Sequence, residues 1–284
     1  MYSDIDSIGT SEAIAAHPDK EMIRMILDSH PIREMIHGGC YIAGGFGRAI
    51  LNKTSIEEYL GIELKSGTPP GDIDIFFDDP AQREHFTQLF RSKDRSWGRN
   101  ALQRNLFVPR AGNFRIQLID HDNLILPMSK QLDRFDFLNA AVALTEDAII
   151  FPSRFYELES EKLLHVKRAT SPFFGSRLLK YFKHRGIRGL TKESEQAVTE
   201  WIIRAMCNDF KLEASGNIMP ESLIANVKAL LSCKDITRAD DLLLVLGKFD
   251  DFVKGEEYGE YKRVDFALSK LVERGLDVSI PTRN

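Results

Sequence analysis

The order of hydrophobic and polar positions changes along the chain, from mixed strand and helix patterns to helical patterns alone. Alternation with a period of two predicts the strands 71–77 and 114–120, and apolar runs predict short strands at 40–43 and 106–108 and a hairpin over 140–151. Apolar residues spaced three and four apart predict the helices 19–37, 47–53 and 81–92. From residue 155 onward the spacing is helical to the end. The pattern predicts an α+β domain over 1–155 and an all-helical domain over 156–284.

Composition restricts the classes of protein that fit this pattern. The chain has 284 residues, 43% hydrophobic and 28% charged, which is typical of a globular protein. Its net charge of −4 gives no global electrostatic reason to bind nucleic acid, so such binding needs a local basic patch. No apolar run has the length of a membrane span, and the acidic N-terminus lacks the apolar segment of a leader peptide. Three scattered cysteines favour a reducing compartment, and we expect a cytoplasmic protein.

Residues 41–48 combine a short apolar strand, a glycine turn and the start of a helix. Gly44 and Gly45 allow the backbone to approach a ligand closely, and a helix N-terminus adds positive potential. The segment therefore predicts a phosphate site, in which Arg48 pairs with a phosphate or with Asp136.

Two carboxylates share one face of the strand predicted at 71–77. Asp72 and Asp74 alternate with Ile73 and Ile75, so the acidic and apolar residues point to opposite sides. Aspartate is depleted in strands, and like charges at this spacing repel each other. A divalent cation removes the conflict, and Mg²⁺ is commonly bound by one or two carboxylates together with substrate phosphates.

Other polar residues have two interpretations each. Asp120 ends the strand predicted at 114–120, where it completes a metal triad or caps the following turn. Asp136 and Asn139 interrupt an apolar segment. Each either contacts a ligand or forms a hydrogen bond with loop backbone. The stretch 91–110 is rich in Arg and Lys with interleaved aromatics, which is typical of a polynucleotide contact or of a solvated loop.

The ordered pair of a glycine turn and an Asp-x-Asp strand resembles the nucleotidyltransferase superfamily that includes DNA polymerase beta. Over residues 35–190 the chain resembles, more narrowly, class II poly(A) polymerases and CCA-adding tRNA nucleotidyltransferases. The matching segments are Gly44-Gly45-Phe46-Gly47-Arg48, Asp72 with Asp74, Arg134-Phe135-Asp136-Phe137-Leu138-Asn139-Ala140-Ala141, and the basic helix from Ser176 to Gly186. Ala49 and Phe135 depart from the family, which has aspartate and arginine at these positions.

The resemblance implies metal-dependent transfer of a nucleoside monophosphate from ATP or another NTP to an acceptor hydroxyl. It implies two Mg²⁺ ions held by Asp72 and Asp74. The position of Asp120 at a strand end makes it a third catalytic candidate, with Asp136 as the alternative third acidic residue. The expected nucleotide-binding residues are Gly44, Gly45, Arg48, Arg134, Asp136, Asn139, Arg177, Lys180 and Arg185.

Three functions are compatible with these residues. The first is addition of nucleotides to an RNA 3′ end, as in tRNA processing, with the acceptor held by the basic loop 91–110. The second is transfer of a nucleotide to a protein or a small molecule, as in AMPylation or toxin/antitoxin systems, which the acidic net charge favours. The third is an inactive nucleotide-binding module, against which the presence of both carboxylates argues. The acceptor, the nucleotide and the oligomeric state are left open.

Overall fold

A computed structural model describes residues 5–61, 71–91, 102–108, 111–119, 125–171, 173–194, 197–198 and 201. The chain divides into two compact units, Met1–Glu159 and Ser160–Asn284. In the described residues no helix is both long and apolar enough to cross a membrane.

Strands and helices alternate through the first unit. Its strands are β1 (Ile5–Gly9), β2 (Tyr41–Ala43), β3 (Asp72–Phe76), β4 (Leu102–Val108), β5 (Gly112–Leu118), β6 (Ala143–Leu144) and β7 (Ala148–Pro152). Its helices are α1 (Thr10–Ala15), α2 (Lys20–Leu27), α3 (Ile32–His37), α4 (Gly45–Leu51), α5 (Ile56–Leu60), α6 (Pro80–Arg91) and α7 (Met128–Leu132). The helix α8 (Phe155–Glu161) runs across the division between the units.

The strands of the first unit form one mixed sheet, which confirms the predicted α+β class. Its seven strands have the order β1-β7-β6-β2-β3-β5-β4. The pair β3 and β5 is parallel, whereas the other neighbours are antiparallel. The acidic strand β3 therefore lies inside the sheet, between β2 and β5.

Apolar residues cover both faces of this sheet. Ile42, Ile73, Ile75, Ile116 and Leu118 are fully buried on one face, in the larger core. A smaller cluster covers part of the other face and contains Tyr41, Ala43, Phe76, Leu132, Ala141 and Ala143. Side chains alternate along a strand, so Asp72 and Asp74 project to the same face as Phe76. The carboxylates thus stand beside the smaller cluster.

The second unit contains β8 (Leu163–Leu164), α9 (Phe174–His184) and β9 (Gly189–Leu190) in its described part. β8 and β9 pair in parallel, which corrects the prediction of helices alone after residue 155. Two-residue strands have no periodicity that a sequence pattern can detect. The helices predicted beyond residue 201 lie outside the described residues.

The first unit departs from the sequence prediction in two strands. β4 occupies 102–108 and is longer than the strand predicted at 106–108, and the remaining basic residues of the stretch 91–110 lie mostly outside the described part. β1 was not predicted, because it is an edge strand with exposed residues and is held by backbone pairing with β7.

Candidate functional site

The glycine turn after β2 has a backbone conformation that requires glycine. Gly44 has φ +94° and ψ −134°, a region that L side chains rarely adopt. A Cβ atom at Gly44 would lie 3.3 Å from Cε1 of Phe135. The N–H of Gly44 donates to the carbonyl of Val142 at 2.9 Å. The Gly44 amide is therefore engaged within the fold, and the phosphate contact predicted for this turn stays a prediction.

Tyr59 of α5 connects the glycine turn to the acidic strand. A Cβ atom added at Gly45 would collide with the Tyr59 hydroxyl. That hydroxyl donates to the backbone carbonyl of Asp72 at 2.9 Å, and the Tyr59 carbonyl accepts from the N–H of Gly71 at 2.6 Å. Tyr59 therefore contacts both the start of β3 and the start of α4 and fixes their relative position. The sequence analysis did not identify this role of Tyr59.

The parallel strand β5 places two donor side chains beside the carboxylates. Asp72 pairs in register with Arg115, and Asp74 pairs with Gln117. Gln117 Nε2 donates to Oδ2 of Asp72 at 2.7 Å, and Arg115 Nη2 lies 3.3 Å from the same oxygen. Neither residue was predicted as part of the site. The alternation of polar residues along 114–120 could have indicated them, since polar residues of a strand next to β3 lie on the same face of the sheet as the carboxylates.

The donor atoms on this face suit a hard cation such as Mg²⁺. Asp72 and Asp74 supply carboxylate oxygens from one face of one strand. Both hydrogen bonds to Asp72 fall on Oδ2, and none from the described residues falls on Oδ1. The described residues contain no group of three or more acidic, histidine or cysteine side chains that could hold a metal. Asp120, the third predicted carboxylate, lies outside the described residues.

Arg48 and Asn139 belong to a buried hydrogen-bond network around Glu159 of α8. Arg48 donates from Nε to Oε1 of Glu159 at 2.8 Å and from Nη2 to Oε2 at 2.7 Å. Asn139 Nδ2 donates to Oε1 at 2.7 Å, and Asn52 Nδ2 donates to Oε2 at 2.5 Å. The side chains of Arg48 and Glu159 are only 9% and 11% exposed. In the structure both Arg48 and Asn139 are buried and hydrogen-bond to Glu159, and the nucleotide contacts expected of them stay predictions.

Sequence patterns could not have found this network. Glu159 lies 111 residues after Arg48, and acidic residues on a helix are usually solvated. The network joins α4, which follows the glycine turn, to the 3₁₀ turn at Leu138–Ala140. It therefore fixes the two segments on either side of the candidate site.

The segment around Asp136 approaches the glycine turn through Phe135. The Phe135 ring packs on Phe76 with centroids 6.0 Å apart and faces Gly44. Arg134 is exposed and Asp136 is half-buried on either side of that ring. The structure thus brings this predicted segment to the same edge of the sheet as Gly44.

The remaining predicted residues lie in the second unit. Arg177 and Lys180 are three residues apart on α9, and Arg185 follows the end of that helix. Arg177 is exposed, and Lys180 and Arg185 are half-buried. Within the same unit, burial lowers the pKa of Lys167 to about 7, and the charge of Arg168 adds to the shift.

Comparisons with known proteins give distant similarities in fold. No protein-family model matches the chain. No curated protein matches it either. Among solved structures, the Thermotoga maritima CCA-adding enzyme complexed with tRNA is 15% identical, with a TM-score of 0.47 over 97% of this chain and 70% of that one. A CCA-adding enzyme with CTP is 13% identical, with a TM-score of 0.44 over 96% of this chain and 71% of that one. The Bacillus stearothermophilus CCA-adding enzyme with CTP is 19% identical, with a TM-score of 0.45 over 74% and 49%.

Proposed function

We propose that this chain is a nucleotidyltransferase that moves a nucleoside monophosphate from an NTP to an acceptor hydroxyl. The observation that carries the proposal is the pair Asp72 and Asp74 on one face of β3, joined through Tyr59 to the glycine turn of Gly44 and Gly45. A strand of the sheet interior offers little reason to keep two carboxylates on one face unless they bind a cation.

In the proposed reaction the acceptor oxygen bonds to the α-phosphorus and the bond between the α-phosphorus and the leaving pyrophosphate breaks. The acceptor hydroxyl gives up its proton to solvent. Asp72 and Asp74 would hold Mg²⁺, which when bound neutralises triphosphate charge and favours ionisation of the attacking hydroxyl.

Other residues of the chain orient the substrate in this proposal. Gly44 gives the turn before α4 its backbone conformation, which a residue with a side chain would rarely adopt. By family resemblance, Arg134 and Asp136 contact the ribose of the incoming nucleotide, and the basic positions Arg177, Lys180 and Arg185 border the nucleotide. Glu159 holds the side chains of Arg48 and Asn139 in place in this proposal.

For the acceptor we propose an RNA 3′ end of the tRNA type, in a cytoplasmic setting. The basic residues of 91–110 supply the local positive charge that phosphate contacts require, in a chain whose net charge is −4. That negative net charge favours the second candidate, transfer to a protein or a small molecule, because it opposes extended contact with RNA.

The test is incubation with each of four NTPs labelled at the α-phosphate, Mg²⁺ and a pool of small RNAs. We expect the label in RNA, and we expect none with the Asp72→Ala/Asp74→Ala variant. Label on protein or on a small molecule would establish the second candidate. Equal labelling by the variant would refute the assignment of the carboxylates.

A further inference from the structure

The Asp72 carboxylate already has a cationic partner on the neighbouring strand. Arg115 stands in register with Asp72, and its Nη2 lies 3.3 Å from Oδ2. Gln117 donates to the same oxygen at 2.7 Å. Both contacts fall on Oδ2, so within the described residues Oδ1 is the oxygen of Asp72 that these neighbours leave accessible to a further ligand.

Arg115 has hydrogen-bonding capacity beyond this contact. A guanidinium carries five N–H donors in a planar fork that matches phosphate oxygens. The Nε atom of Arg115 is buried without a hydrogen-bond partner among the described residues. Its side chain is 41% exposed, whereas that of Asp72 is 21% exposed. Since Nε is buried, the exposed part of the side chain is what a ligand on the carboxylate face of the sheet can reach.

The charges on this face argue against two divalent cations at Asp72 and Asp74. Arg115 offsets one of the two negative charges before any metal binds. A second divalent ion bound at Oδ2 would share that oxygen with Gln117 and stand against a positive guanidinium, which like-charge repulsion disfavours.

We propose that Arg115 takes the place of one divalent ion, so that the site holds a single metal and Arg115 binds the triphosphate directly. Asp74 and Oδ1 of Asp72 would hold the one ion, and Gln117 and Arg115 keep Oδ2 turned away from it. The inference rests on the proposed nucleotidyl transfer and revises the expectation of two Mg²⁺ ions. It adds Arg115 to the substrate-binding residues and Gln117 to the positioning residues.

The experiment is equilibrium dialysis of the full chain against Mn²⁺ and tripolyphosphate, which stands in for the triphosphate of any NTP. Protein-bound Mn²⁺ and tripolyphosphate are counted after release with acid. We expect one Mn²⁺ per chain in the complex. Two ions per chain in the wild type would overturn the inference and leave the proposed function standing, whereas the absence of bound Mn²⁺ would overturn the inference and remove the metal role of Asp72 and Asp74.

Variants separate a substrate contact from a structural ion pair. Arg115→Gln should weaken tripolyphosphate binding by about tenfold or more without changing the count of Mn²⁺, since it removes a charge-assisted contact. Arg115→Lys should retain most of the affinity. The control is Arg24→Gln, which removes an exposed arginine paired with Glu21 on α2 and should bind as the wild type does. Unchanged affinity in Arg115→Gln would overturn the inference, and circular dichroism of each variant checks that it is folded.

Discussion

The network around Glu159 gives the sharpest prediction about stability. Glu159→Ala removes a carboxylate that accepts four hydrogen bonds, two from Arg48 and one each from Asn52 and Asn139. The guanidinium of Arg48 is 9% exposed, so water replaces these contacts poorly. Removing one partner of a buried ion pair costs about 3–5 kcal/mol. Each kcal/mol of lost stability lowers the midpoint of thermal unfolding by roughly 2–4 °C in a chain of this size, so the midpoint should fall by about 6–20 °C.

The matched control for this prediction is Glu157→Ala on the same helix. Glu157 pairs with Arg154 at 2.9 Å, but the two side chains are 50% and 45% exposed, and an exposed pair contributes only about 0–1 kcal/mol. Urea and thermal unfolding followed by far-UV circular dichroism measure both variants. A double variant, Arg48→Met with Glu159→Met, should be less destabilised than the sum of its single variants, because it leaves no buried charge.

A small loss of stability would refute this reasoning. If Glu159→Ala lowers the free energy of unfolding by no more than Glu157→Ala does, the buried ion pair does not hold α4 and the 3₁₀ turn together. Additive effects of the Arg48 and Glu159 substitutions would lead to the same conclusion.

Three further predictions concern other residues. Gly44→Ala should lower the free energy of unfolding by about 1–3 kcal/mol and weaken NTP binding, because φ at this position is +94°. In the control Gly9→Ala the added Cβ meets nothing closer than 3.7 Å, so chemical unfolding should show almost no change in stability. Tyr59→Phe should cost about 1 kcal/mol and lower kcat more than it raises KM, since it loosens the start of β3 at Asp72; kinetics equal to the wild type would contradict this. Lys167 should be acylated half-maximally near pH 7, far below the value of about 10.4 for an ordinary lysine, and mass spectrometry of labelled peptides across pH measures this. Because folding lowers this pKa, stability should rise with pH between these two values, and a flat profile would argue against a buried amine.

Local patterns were enough to predict most of the first unit. β3 alternates Asp72 and Asp74 with two isoleucines that are fully buried, and a single strand displays that alternation without any partner. The order of strands and helices followed from the same periodicities. β1 and β8 were not predicted because their pairing depends on distant strands, and their own residues show no alternation of the required length.

The candidate site was predictable only where its chemistry is local. The glycine turn and the Asp-x-Asp strand are each contained in a few consecutive residues. The partners that hold them come from elsewhere: Arg115 and Gln117 from the neighbouring strand, and Glu159 from a helix more than a hundred residues away. Such partners depend on register and tertiary packing, which is why the sequence offered a phosphate or Asp136 as the partner of Arg48 and did not indicate Glu159.

The most direct test of nucleotidyl transfer compares Asp74→Asn with Asp78→Asn in Mg²⁺-dependent release of pyrophosphate from an NTP mixture with small RNAs. Asp78 is an exposed carboxylate at the far end of β3, and asparagine keeps the oxygen that accepts from the N–H of Met128. The account predicts wild-type release by Asp78→Asn and a loss of about a hundredfold or more by Asp74→Asn, because several kcal/mol of transition-state stabilisation depend on the bound ion. Equal release by the two variants would contradict it.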